Sequence, residues 1–127
     1  MLRRVTTEVE PVVRGLSVVY LYVRDLDRSV AFYRDVMGLS LDVSEGWAEA
    51  FFPGGTRFAL HALPDGAAEP RMGTLHLDFS VDDIDAAAAR LRDAGVEVGE
   101  IFRRSYGSHS TFVDPDGYEL ELFQPPS

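Results

Sequence analysis

The chain has 127 residues, a formal net charge of -9, 46% hydrophobic and 26% charged residues. That length and balance belong to one ordinary soluble globular domain, and the acidic excess disfavours polyphosphate and anionic membrane surfaces while favouring a cationic ligand. There is no cysteine, and all twelve basic side chains are arginine. Disulfides, thiolate metal sites, cysteine nucleophiles and lysine Schiff bases are thereby excluded.

The N-terminal stretch MLRRVTTEVEPVVRG contains no apolar run of signal or membrane length, so a cytoplasmic location is expected. Residues 1–13 are read as a tail or an added edge strand. From Leu16 to Val23 the run LSVVYLYV is β-branched and aromatic, as strands are. Asp25 is a candidate N-cap for a helix carrying Leu26, Val30, Tyr33 and Met37, which Gly38 ends. LSLDV (39–43), WAEAFF (47–52) and TRFALHAL (56–63) read as three further strands, separated by Ser44-Glu45-Gly46 and Pro53-Gly54-Gly55. Residues 64–72, rich in Pro, Gly and Ala, read as a linker.

The same order then recurs. LHLDFSV is a strand, Asp83 caps a helix with Ile84, Ala87, Ala88 and Leu91, and Gly95 ends it. VEVGEIF, SHSTFV and YELELF follow as strands, the last two joined by the turn sequence Asp114-Pro115-Asp116-Gly117. Val81-Asp82-Asp83-Ile84-Asp85 answers Val23-Arg24-Asp25-Leu26-Asp27 at a spacing of 58 residues. Such self-similarity marks two related modules. The expected fold is therefore α+β: paired βαβββ modules, residues 14–63 and 73–124, forming a curved mixed sheet around a concave cavity with helices outside.

Strand parity predicts which side chains face that cavity, because successive residues alternate between the two faces. Leu75, Leu77, Phe79 and Val81 form the helix-packed set, leaving His76, Asp78 and Ser80 inward. Leu120 and Leu122 pack, leaving Glu119, Glu121 and Phe123 inward; Phe58 and Leu60 pack, leaving Arg57, Ala59 and His61 inward. An imidazole and a carboxylate, His76 and Glu121, suit a borderline divalent metal, with His61 as the parity-compatible third group. A hydrogen-bonded pair lining a metal-free polar cavity is the alternative. His109 falls near a sheet edge and is expected as an ordinary, partly exposed histidine.

YVRDLDRSVAFYRDVMGL (22–39), HLDFSVDDIDAAAARLRDAGVEV (76–98) and DPDGYELEL (114–122) resemble the vicinal oxygen chelate superfamily, the glyoxalase, bleomycin-resistance and extradiol dioxygenase group. In metal-using members the ligands come from the first and last strands of each module. The resemblance assigns those roles to His76 and Glu121 in the second module. In the first, Val18 stands where a His, Gln or Glu is expected, and Ala59 where a Glu or Gln is expected. It also implies a homodimer, sometimes with modules paired across chains.

Two functions follow. The first is a small-molecule-binding protein that sequesters a cationic or aromatic compound without a metal. Tyr20, Tyr22, Trp47, Phe52, Phe112 and Phe123 are its candidate walls, and Arg57 and Asp78 its candidate polar contacts. The alternative is a lyase, isomerase or dioxygenase acting on vicinal oxygens with one zinc, nickel, manganese or iron ion. Glu119 would then move the proton, and Arg57 would pair with an anionic substrate group. No Walker loop, Gly-x-Ser-x-Gly elbow or basic nucleic-acid stripe is present.

Overall fold

The computed structural model describes residues 2–9, 16–66 and 77–127. Two four-stranded mixed sheets form, as the sequence repeat requires. In the first, β1 (Val18–Val23), β2 (Asp42–Ser44), β3 (Trp47–Phe51) and β4 (Arg57–Ala62) take the order β1-β4-β3-β2. In the second, β5 (Asp78–Ser80), β6 (Phe102–Arg104), β7 (Gly107–Val113) and β8 (Glu119–Gln124) repeat it as β5-β8-β7-β6. The outer members β2 and β6 are shorter than the apolar runs in the sequence. The segment before β6 contributes only an isolated bridge, Val98 to Phe112.

Each helix starts where its cap residue dictates. Asp25 accepts a hydrogen bond from the Arg28 backbone and opens α1 (Leu26–Ala31), while Asp83 accepts from the Ala86 backbone and opens α2 (Ile84–Asp93). Helix α1 continues as a wider π-helical stretch, Phe32–Val36, and closes at Gly38 with φ +79°, a conformation that favours glycine. This wider turn is absent from α2.

Leu21, Val23, Phe58 and Leu60 from the first sheet share one core with Phe112, Leu120 and Leu122 from the second, together with Val30 and Tyr33 of the first helical segment and Ile84, Ala88 and Leu91 of α2. Tyr33, Phe58 and Phe79 stitch the two units together, with ring centroids 5.1 to 6.4 Å apart. Both helix-packed sheet faces thus contribute to a single core, and each sheet turns its other face away from it. The α+β class and the paired modules are as expected; the inward-facing surfaces are two separate open faces of the chain.

The units are also joined by polar groups. Asp116, in the turn between β7 and β8, accepts hydrogen bonds from the Arg24 backbone (3.0 Å), Arg24 Nη1 (3.0 Å), Arg28 Nη2 (3.3 Å) and Ser29 Oγ (3.2 Å). Asp114 accepts from the Tyr33 hydroxyl at 2.9 Å, and the Tyr118 hydroxyl donates to the Tyr22 carbonyl at 2.8 Å.

Candidate functional site: two open sheet faces

On the first sheet the register aligns Tyr20 with Ala59 and Glu49, and Tyr22 with His61, Trp47 and Ser44. These residues share the face opposite the core. Tyr20, Tyr22, Trp47 and His61 form a ring cluster, with centroid separations between 5.2 and 5.8 Å. Tyr20 and Tyr22 remain 41% and 37% exposed, so the cluster is a surface rather than a sealed core. Beneath it Glu49 Oε2 accepts from Trp47 Nε1 at 3.1 Å and from Arg57 Nη1 at 2.8 Å. The Arg57 guanidinium is therefore held by this carboxylate. His61 turns its Nδ1 to the Ala62 carbonyl at 2.7 Å. The Tyr22 hydroxyl is pushed above its ordinary pKa by its hydrogen bond and charge interaction with Tyr20.

The second sheet presents the same lattice. Asp78 aligns with Glu121 and Thr111, and Ser80 with Phe123, His109 and Phe102. His109 Nδ1 lies 2.8 Å from Glu121 Oε1, and the imidazole is flanked by Phe102 (5.6 Å) and Tyr106 (6.1 Å). Removal from solvent raises the Glu121 pKa, helped by the hydrogen bond and negative charge of Asp78 and opposed by His109. Glu119 is exposed and lines a hollow with Thr111 and Glu121.

Arg57, His61, Asp78, Glu121 and Phe123, which parity sets inward, lie on the open faces, as do the candidate walls Tyr20, Tyr22 and Trp47. His61 and Glu121 sit on different sheets and are not brought together. Phe52 is in the loop before β4 and lines a cleft of about 490 Å³ between the units, along with Val19, Phe58 and Phe79. Phe112, expected as a cavity wall, is 1% exposed and belongs to the core. A period of two gives it the opposite face from His109 and Thr111. His76 lies outside the described residues.

His109 is the residue that sequence reasoning undervalued. The signal was available: the turn at Asp114–Gly117 closes the Val113–Glu119 pair, and counting back along both strands pairs His109 with Phe123. That register puts the imidazole on the face of Glu121.

Among the described residues, the donor set does not fit a divalent metal. The Val18 and Ala59 side chains carry no lone pair, and His61 and Glu121 occupy separate faces. Among the described residues, no group of three or more His, Asp or Glu side chains is placed to hold a metal ion. No helix among the described residues is long and apolar enough to cross a membrane.

The family model "Glyoxalase/Bleomycin resistance protein/Dioxygenase superfamily" matches residues 15–122. The chain is 36% identical over 118 residues to a probable lactoylglutathione lyase of Vibrio parahaemolyticus, covering 82% of this chain and 86% of the relative. It is 32% identical over 117 residues to the metallothiol transferase FosB of Shouchella clausii, covering 87% and 80%. Among solved structures, TnmS3, an antibiotic binding protein from Streptomyces sp. CB03234, superposes with a TM-score of 0.73 at 26% identity, covering 91% of this chain and 99% of that one. The relatives therefore include both enzymes and a binding protein, on one fold. By the match over its two repeated units, this chain belongs to the Glyoxalase/Bleomycin resistance protein/Dioxygenase superfamily.

Proposed function

We propose that the protein is a metal-independent, cytoplasmic small-molecule-binding member of this superfamily, one that captures a flat aromatic compound. The observation that carries this reading is the ring cluster of Tyr20, Tyr22, Trp47 and His61, on the sheet face that also carries the aliphatic Val18 and Ala59. Where the family resemblance calls for metal donors, the first face offers rings and aliphatic carbon. Exposed aromatic faces bind planar compounds by stacking and apolar burial, at little cost in side-chain freedom. Within one chain the two open faces look away from a common core, so each covers a ligand from one side only. In this reading a second copy of the chain supplies the opposing wall, the second sheet of one protomer lying over the first sheet of its partner.

The second reading is a metal-dependent lyase, isomerase or dioxygenase. It is favoured by the enzyme names of the relatives and by Glu121, which stands at the last-strand ligand position. It would require His76 and a donor other than Val18 or Ala59, with Glu119 handling the proton.

Trp47 is the single tryptophan of the chain, so its fluorescence reports on the first face alone. Titration of chelator-treated protein with planar aromatic probes should quench and shift this emission saturably. Tyr20→Ala should weaken binding by about tenfold, the loss of one stacking surface. Saturation that appears only after addition of a divalent ion would replace this reading with the enzymatic one.

A further inference from the structure

We infer that Glu121, held by His109, is a metal-independent recognition group that accepts a hydrogen bond from an amine or ammonium nitrogen of the ligand. This inference rests on the aromatic-ligand reading and deepens it by naming the ligand's polar half. Three observations lead to it. First, Val18 and Ala59 occupy the two first-sheet positions where the family resemblance calls for metal donors, and neither side chain is one. Second, Glu121 already has a partner: His109 Nδ1 stands 2.8 Å from one of its oxygens. A carboxylate oxygen has more than one lone-pair direction, and the Asp78 carboxyl, which shares a hydrogen bond with Glu121, adds further acceptor capacity for a ligand donor beside it. Third, the imidazole is fixed from its own side of the sheet by Phe102 across the strand pair and by Tyr106 from the adjoining turn. Phe102 and Tyr106 are 40% and 59% exposed, which leaves apolar surface beside the polar pair for the ligand to cover.

The chemistry that this arrangement selects differs from that of a metal site. A metal ion gathers oxygens that donate electron pairs, whereas a carboxylate attracts groups that donate protons into a hydrogen bond. A planar compound bearing an amine fits; an oxygen-rich chelator without such a donor does not. His109 is a positioning residue: it fixes the direction of the carboxylate and leaves the accepting to Glu121.

Two probes separate the possibilities in chelator-treated, full-length protein: proflavine, a planar cation with amino groups, and anthraquinone-2-sulfonate, a planar anion with acceptors only. Binding of both is measured by equilibrium dialysis, which counts occupancy at either face. Proflavine should bind more tightly, and Glu121→Gln should weaken it by about tenfold, as for loss of one charge-assisted hydrogen bond. His109→Ala should give a smaller loss, and His109→Gln, whose amide can still donate to Glu121, should recover part of it. The sulfonate should be indifferent to all three substitutions. An unchanged proflavine affinity in folded Glu121→Gln, with both probes still binding, would overturn the inference while the aromatic-ligand reading stands. Failure of both probes would overturn the two together. Stoichiometric zinc binding that Glu121→Gln abolishes would also overturn the inference, since the carboxylate would then be a metal ligand.

Discussion

The first and second sheets set out the same positions and fill them with different chemistry. Tyr20, Ala59 and Glu49 on one become Asp78, Glu121 and Thr111 on the other; Tyr22, His61 and Trp47 become Ser80, Phe123 and His109. Backbone register repeats between the units because the βαβββ order repeats. Side-chain chemistry is free to diverge, because open-face residues contribute little to the shared core. On the first face Glu49 is committed to Trp47 and Arg57, and the face presents rings. The second presents a carboxylate supported by an imidazole. A repeated fold thus fixes where a ligand can sit, and the residues at those positions decide what it can be.

The sharpest way to break the relation between these faces is to remove the group that joins the units. Asp116 has a side chain 0% exposed and receives the Arg24, Arg28 and Ser29 donors described above. Asp116→Ala removes the carboxylate and leaves its cationic neighbours facing a void. Loss of one partner from a buried ion pair costs about 3 to 5 kcal/mol, and the lower end applies because both arginines retain access to water. Urea denaturation should show that loss. A change below about 1 kcal/mol would mean that the apolar contact of Tyr33, Phe58 and Phe79 holds the units together unaided.

A second test compares the hairpin turns that lead into the two faces. Gly46 precedes β3, and Gly107 begins β7, both with positive φ, +72° and +138°. A Cβ added at Gly46 would meet nothing within 4 Å, whereas at Gly107 it would lie 2.6 Å from the Phe123 ring and 2.7 Å from the Gln124 carbonyl. Gly46→Ala should therefore cost only the backbone strain, about 1 to 2 kcal/mol. Gly107→Ala adds a clash with backbone that cannot swing away, for about 2 to 4 kcal/mol in all. It should also disturb His109, because Phe123 is its cross-strand neighbour. The imidazole resonances of His109 are the place to look for that effect, and Gly46→Ala should leave them unchanged.

Much of this was legible in the sequence. The spacing between the repeats, the capping residues Asp25 and Asp83, and the alternation in β4 and β8 each depend on local chain geometry. Local geometry has a fixed period, so these features carry their own evidence. Three others depend on tertiary context. The way the two units share a core is decided by contacts such as Tyr33 with Phe79, between residues 46 positions apart, and no local period encodes it. The wider helical stretch at Phe32–Val36 also escaped the periodicity, which predicts a helix without specifying its hydrogen-bond spacing. Phe112 was assigned from its residue type rather than from strand parity. An aromatic ring is equally at home on a cavity wall and in a core, so type alone could not place it.

The smallest of the three stability effects concerns the polar half of the same junction, and it has a pH signature. Tyr33 is fully buried, and its hydroxyl donates to Asp114 Oδ2 at 2.9 Å. Burial, followed by the charge of Asp114 and the hydrogen bond to it, pushes the Tyr33 pKa well above the ordinary 10.0. A phenol whose folded pKa is raised binds its proton more tightly in the folded state than in the unfolded chain. Its contribution is therefore whole below pH 10 and is lost as the pH rises beyond the unfolded value towards the folded one. Tyr33→Phe deletes the hydrogen bond and the ionisable group together, and should cost about 1 to 2 kcal/mol at neutral pH. Above pH 10 the stability of the variant should fall less steeply than that of the parent, so the gap between the two denaturation curves should narrow. A gap of constant width from pH 7 to 11 would show that Tyr33 supports the junction by packing alone, through its contacts with Phe58 and Phe79. The hydroxyl would then have no part in holding the two faces in register.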